Sequence, residues 1–388
     1  MTSRSRTEQL LQWLAPSSRR TPDTPVDWDD LLAEAVAHTV APQFFQRLLR
    51  APGVPQTVIQ CAMLASSRQK QYVANLGGEL KAILQALAAK NITPILLKGA
   101  HLALFVYPEP GHRPMADIDL LVRESDLEEA NRVLMEIGYA PQYDESIEVA
   151  HTHSHALPLL LKPGCIAIEL HWTLADPTDA VYADLDGIWD RSIEVGVQGE
   201  RARVFSAEDL LPHICFHAGV MHNFAEKGLR PLFDVAAIVG HYGASLDWSV
   251  VEARARDWRI ERSTWLMLEL VREYHPNAIP EDVLQRMKPA KVSASVIDAA
   301  RGQLFERPGV RLQTIRTRQV ALALSKPGVL GSYFRDHPVR RAKDVVARYG
   351  GFVWDGLRRN RQLLGHVLRK TRRQFILNAW LKKHESAL

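Results

Sequence analysis

A chain of 388 residues, 46% hydrophobic and 24% charged, has the make-up of an ordinary globular protein and is long enough for two or three domains. Its three cysteines (Cys61, Cys165, Cys215) are scattered and form no CxxC pair, which argues against a disulfide scaffold or a thiolate zinc site and suits a reducing cytosol. The net charge of +4 is uneven: from Arg335 onward 14 Lys/Arg stand against 4 Asp/Glu, a net of +10, leaving −6 for the rest, so the body does not read as a nucleic-acid groove.

The first residues, MTSRSRTEQLLQWLA, hold only a short apolar stretch broken by Gln12. That is a poor secretory leader, and no run of 18 apolar residues follows, so a cytoplasmic protein is expected. The stretch WDDLLAEAVAHTVAPQFFQRLL repeats apolar residues at three and four and predicts an amphipathic helix pair. A longer helix is predicted over 58–90, bent at Gly77-Gly78. ITPILLKG (92–99) is a continuous apolar run ending in glycine, which suits a buried strand and a tight turn. HLALFVY (101–107) predicts a short helix stopped by Pro108, Pro110 and Gly111.

ADIDLLV (116–122) reads as a strand, and Ser125 with Glu128 predicts a capping box for the helix after it. HALPLLLK (155–162) and IAIELHWTL (166–174) read as two further strands around the turn Pro163-Gly164. From Ser206 onward the pattern is helical. The chain is therefore expected to be α+β: a helical N-terminal region (1–88), a small core of mixed sheet and helices (89–200), a helical C-terminal domain (201–330) and a basic helical tail (331–388).

The chemistry is concentrated in D-I-D. Residues two apart on a strand point the same way, so Asp117 and Asp119 share a face while Ile118 and Leu120 enter the core. Two carboxylates so close raise each other's pKa unless a cation lies between them, and Mg²⁺ takes such hard oxygen ligands together with phosphate. Glu169 is the one acid in the apolar strand IAIELHW, costly there unless paired or bound to metal. With the two strands adjacent, Asp117, Asp119 and Glu169 would hold two metal ions about 3.5–4 Å apart, with Mn²⁺ as the alternative to Mg²⁺. Gly99, between a strand and a helix, would turn backbone N–H groups toward an anion, with Lys98 and Arg113 as further phosphate ligands.

The stretch LLKGAHLALFVYPEPGHRPMADIDLLV, followed by IELHWTL, resembles the bacterial uncharacterised nucleotidyltransferase family, within the DNA polymerase β-like superfamily. The resemblance covers about residues 85–240. It implies a polymerase β-like core in which Asp117 and Asp119 match the metal-binding acid pair, Glu169 the third acid, and Gly99 the glycine after the first strand. Gly-Ser or Gly-Gly is usual there; Gly99-Ala100 lacks the serine contact to phosphate, for which Lys98 would compensate. The implied activity is transfer of an NMP from an NTP, with ATP expected, to a hydroxyl or phosphate acceptor that the resemblance does not name.

Other residues have plainer readings. His151, His153 and His155 alternate, as zinc ligands or exposed residues of a strand would, and His155 is placed beside the active site. His171 shares the Glu169 face and is an accessory candidate. His213 and His217 are four apart on a helix, with His222 following, but the HExxH glutamate is absent, so buried hydrogen-bonded histidines are expected. Arg230 and Asp234 have the spacing of a helix salt bridge; similar residues recur in the helical half of the family, which implies nucleotide or acceptor contact. The tail segments RRNRQ (358–362) and RKTRRQ (369–374), with Leu364, Leu368, Phe375 and Trp380, predict an amphipathic basic helix. Packing of its apolar stripe on the domain is favoured over contact with an anionic membrane or partner. The rival functions are a non-catalytic nucleotide-binding module whose tail engages membrane or RNA, and a His-based metallohydrolase.

Overall fold

The computed structural model describes residues 3–15, 26–177, 179, 181–225, 227–306 and 372–381. Its strands are β1 (Ile95–Leu96), β2 (Asp117–Leu121), β3 (Ala140–Pro141), β4 (Leu160–Leu161), β5 (Ala167–His171), β6 (Ile193–Val197) and β7 (Glu200–Val204). They form one mixed sheet in the order β3-β4-β5-β2-β1-β7-β6, and with the helices around it the chain is α+β. β2 and β5 run parallel, with Asp119 opposite Glu169. β1 flanks β2 on its other side, antiparallel, and pairs in parallel with β7.

Several elements are shorter than their apolar runs suggest. Pro94 has no N–H for a ladder and Leu97 leads into the helix Lys98–His101, so β1 keeps two residues. The run 155–162 pairs as β4 only at Leu160–Leu161, because Pro158 interrupts it; Ala156 forms an isolated bridge to His171. The hairpin β6-β7 was not expected. Its alternation is hidden by Glu194, Glu200, Arg201 and Arg203 at the sheet edge, where only one face is buried. The capping box at Ser125 does not form: a 3-10 turn, Glu124–Asp126, leads into the helix Leu127–Glu136, whose N-cap Asp126 makes no side-chain cap bond. The helix Gln56–Ala88 runs through Gly77-Gly78 as one element; a Cβ at Gly77 would stand 3.1 Å from Gln198 Nε2.

The period of two sorts the strand residues between two cores. Leu96, Ile118, Leu120, Ile168 and Leu170 pack against the helices Gln56–Ala88 and Leu127–Glu136. Ile95, Leu97 and Leu121 face a larger core, which the helices near both ends of the chain build together. Within it Thr7 is fully buried, its hydroxyl 2.7 Å from Glu34 Oε1 and 3.2 Å from the Phe305 carbonyl. Residues 372–381 are helical and bury Leu377 and Trp380 in the same core, while Phe375 is exposed. The indole of Trp380 donates to the Lys291 carbonyl at 2.9 Å. The segment RRNRQ lies outside the described residues, among which no helix is long and apolar enough to cross a membrane.

The helix Ala207–Phe216 continues into a π-helical turn, His217–Met221, that lies close against the helix Glu261–Tyr274. Gly219 permits this approach: a Cβ there would meet Ser263 Cβ at 2.7 Å and the Phe224 ring at 3.2 Å. Gly219→Ala is expected to destabilise the fold by about 1–3 kcal/mol through overpacking, read as a lower midpoint in urea denaturation.

Candidate active site

Asp117, Asp119, Glu169 and His171 alternate with core residues, so all four lie on the sheet face that looks toward the helical body. The turn after β1 brings a cation to them. Leu97 is extended and Lys98 takes a left-handed φ of 42°, a conformation that only surrounding contacts hold in a non-glycine residue. The Lys98 ammonium then lies 2.8 Å from Asp119 Oδ1 and 3.4 Å from Glu169 Oε2. His171 Nε2 is 3.1 Å from each of the same two oxygens. Gly99 packs closely on Met115: a Cβ would stand 3.0 Å from Met115 Cγ and would fit only with a shift of that side chain.

Electrostatics separates the three acids. Burial alone would raise Asp119, but the Lys98 charge and the His171 hydrogen bond hold it well below the usual carboxylate range. Burial also opposes ionisation of Glu169, and His171 and Lys98 bring it below its ordinary value. Asp117 shifts the other way: burial, then repulsion from Asp119 and Glu169, pushes it up. The three carboxylates lie beside Lys98 and, when protonated, His171, whose own pKa is raised by Glu169 and Asp119 against burial and the Lys98 charge. Asp117 is the least compensated of the three, because Lys227 and Lys98 only partly offset its burial and the repulsion of Asp119 and Glu169.

That donor set fits a divalent cation. Asp117, Asp119 and Glu169 offer the hard oxygens that Mg²⁺ takes, and a cation beside them would relieve Asp117. His155, Glu169 and His171 also bring three ligand atoms within 4.8 Å of one another, adding two imidazole nitrogens beside the carboxylate oxygens. His155 is oriented by Asp176, to whose Oδ1 its Nδ1–H donates at 2.6 Å, and its ring lies 5.1 Å from that of His171. Asp176, in the loop after β5, carries no sequence signal of this pairing.

The remaining candidates disperse. Arg113 is buried with its Nε 2.7 Å from Asp234 Oδ1, and the Tyr107 hydroxyl donates to the same oxygen at 2.9 Å. The expected Arg230–Asp234 helix bridge is not formed, because Arg113, from the loop before β2, takes Asp234 instead. Lys227 and Arg230 lie near the acids, each within electrostatic reach of Asp117. His151 ends a short helix, Ile147–His151, and exposed His153 pairs with Glu145 at 3.2 Å, so the three alternating histidines do not share a strand face. His213 packs on Phe205, and His217 Nε2 lies 3.2 Å from His222 Nε2. Among the described residues neither histidine set gathers the ligands of a zinc site.

Residues 24–276 match the family model described as an uncharacterised nucleotidyltransferase. No curated protein matches the chain. Two solved structures are similar in part, each at 16% identity and a TM-score of 0.34. One is a solution structure of the antibiotic-resistance factor ANT(2'')-Ia, with 52% of this chain and 99% of that one covered. The other is a crystal structure of an antigenic nucleotidyltransferase-like protein from Paracoccidioides brasiliensis, with 57% of this chain and 95% of that one covered.

Two outcomes are expected of the residues around the site. Asp234→Ala strands the buried Arg113 guanidinium and should cost about 3–5 kcal/mol, whereas Arg113→Met with Asp234→Leu should cost less than the sum of those two changes made singly; urea unfolding of the four variants measures both. Burial, with His241 nearby, lowers the pKa of His101 from 6.5 to about 3, and neither ring nitrogen has a hydrogen-bond partner. Between those values the unfolded chain holds a proton that the folded chain does not, so stability falls as pH drops below 6.5 toward about 3. His101→Leu should flatten that acid limb in thermal melts taken from pH 7 to pH 4.

Proposed function

Since the chain belongs to the uncharacterised nucleotidyltransferase family, we propose that it moves an NMP from an NTP, ATP foremost, to a hydroxyl or phosphate of a small molecule, peptide or protein, releasing pyrophosphate. The observation that carries this reading is the parallel pairing of β2 with β5. It sets Glu169 opposite Asp119 and leaves Asp117 beside two other acids, where burial and their repulsion raise it from its ordinary value. In the reading, Asp117, Asp119 and Glu169 hold Mg²⁺, with Mn²⁺ as a substitute. The bound ion neutralises phosphate charge and helps align the α-phosphorus with the attacking oxygen.

The chain's own residues position and compensate. Lys98, already between Asp119 and Glu169, keeps both ionised so that their oxygens stay available as ligands. In this reading the backbone N–H groups of Lys98 and Gly99 face the phosphates. His171 orients the carboxylates it touches. His155, its Nδ1–H engaged by Asp176, presents Nε2 toward the acceptor side. Arg113 acts from behind, fixing the loop before Asp117 through Asp234. Nothing in this arrangement requires a covalent intermediate on the protein; the chemistry is positioning and charge neutralisation. The cytosol supplies the NTP and suits the three free cysteines.

The test is pyrophosphate release from each NTP with Mg²⁺ and a cell extract as the source of acceptors, followed by mass analysis for a gain of one NMP. Asp119→Asn and Glu169→Gln are expected to lower the rate by at least ~10²-fold. Release that persists at the full rate in both variants rules the reading out.

A further inference from the structure

A second cavity opens on the sheet face that carries the acids, but at the other end of the strands. Arg123 follows the end of β2 and lies roughly 20 Å from Asp117 at the rise of an extended chain. β1 runs antiparallel to β2, so the residues that lead into it, Ile92 and Thr93, stand beside Arg123. β7 places Arg203 opposite Ile95; Ala202 and Val204 on either side of it enter the smaller core, so Arg203 points to the other face. The helix Leu185–Arg191 adds Trp189 and Asp190 to the lining. The cavity holds about 370 Å³, at the small end of the range for ligand pockets.

Two arginines and two aspartates line this cavity, and among the described residues no ion pair joins them. The Arg123 guanidinium lies over the Trp189 ring, 4.7 Å from its centroid. Stacking of that kind fixes the plane of the fork and leaves its edge donors free, and Arg123 makes no hydrogen bond among the described residues. Arg203 is anchored on Ser192: its Nε donates to Oγ at 2.6 Å and its Nη2 to the carbonyl at 2.6 Å. Asp126 stands at the N-cap of the helix Leu127–Glu136 but makes no cap bond, and only the Ser125 hydroxyl approaches it, at 3.5 Å from Oδ1. The exposed Asp190 carboxylate has neither a hydrogen bond nor an ion pair among the described residues. Opposite charges that share a cleft ordinarily close on one another. Here the indole and Ser192 take the arginines instead, and the carboxylates are left unmatched.

We propose that this cavity binds a small zwitterion, a free α-amino acid, whose carboxylate meets Arg123 and Arg203 and whose ammonium meets Asp126 and Asp190. The balance of charge selects the class. A phosphate-rich ligand would gain the two arginines but be brought against two carboxylates, and an amine alone would be brought against two guanidiniums; a ligand with both signs satisfies all four groups. The planar fork of a stacked arginine matches a carboxylate, which it can hold by two parallel hydrogen bonds. The buried flanks of Ile92 and Trp189 give the amino acid's side chain an apolar wall. The site is separate from Asp117, Asp119 and Glu169, and it does not depend on the reaction proposed for them.

The test is a calorimetric titration of the full chain with each of the common amino acids in turn, in EDTA and without nucleotide. At least one should bind with a millimolar or tighter dissociation constant. For the tightest, the carboxylic acid that lacks its amino group and the amine that lacks its carboxylate should each bind at least about tenfold more weakly, the worth of one charge-assisted hydrogen bond. Arg123→Gln, and the double change Asp126→Asn with Asp190→Asn, should weaken the amino acid by a similar factor while the unliganded melting temperature stays close to that of the wild type. Binding of no amino acid overturns the site, and so does full-strength binding in either variant. Equal affinity for the deaminated acid would reduce it to a plain anion site and overturn the zwitterion. Displacement of the amino acid by ATP with Mg²⁺ would put the binding in the catalytic cleft and overturn its placement here.

Discussion

Like charge held against an apolar body is the constraint around which the site is built. Three carboxylates on adjacent parallel strands face a core of helices, and water screens them little there. Lys98 and His171 compensate Asp119 and Glu169, and Asp117 is the least compensated of the three. The surroundings follow from that imbalance. A lysine adopts a left-handed backbone to deliver its ammonium. A glycine next to it packs closely on Met115, and an arginine in the loop before the acids is held by a distant aspartate.

The sheet and the helical body divide the labour. The sheet fixes its side chains by register: with Asp119 across from Glu169, a slip of one residue in β5 would turn the acid into the opposite core. The helical body contributes cations, Lys227 from a turn and Arg230 from a helix start. The link between the halves is one buried cluster, in which Asp234 accepts from both Tyr107 and Arg113. It ties the helix that carries Arg230 to the loop that carries Arg113.

The carboxylate set was legible in the sequence because a period of two is a local property, and because one acid in an apolar strand is conspicuous. The α+β class and the strands that carry the acids were legible for the same reason. What escaped has in common that it depends on distant partners. Arg113 reads as a free phosphate ligand until Asp234, 121 residues away, is seen to hold it. Arg230 and Asp234 have helix-bridge spacing, yet a third residue takes the acid. His155 belongs to the site through Asp176, whereas its alternation with His151 and His153 suggested a strand that the helix Ile147–His151 replaces. The hairpin of β6 and β7 was hidden because an edge with one wet face keeps few apolar residues.

Thr7, which joins Glu34 to the carbonyl of Phe305, has a consequence for how the molecule is made. Its two neighbours are separated from it by 27 and 298 residues, so the first helix meets one of them almost at once and the other only after most of the described chain has been made. At roughly 5–20 residues per second, a gap of 298 residues is on the order of 15–60 s on the ribosome. The sheet, complete once β7 has emerged, can close well before that. The apolar faces of the first helices wait through the interval for the segment around Phe305, and during it they present the kind of surface that chaperones hold.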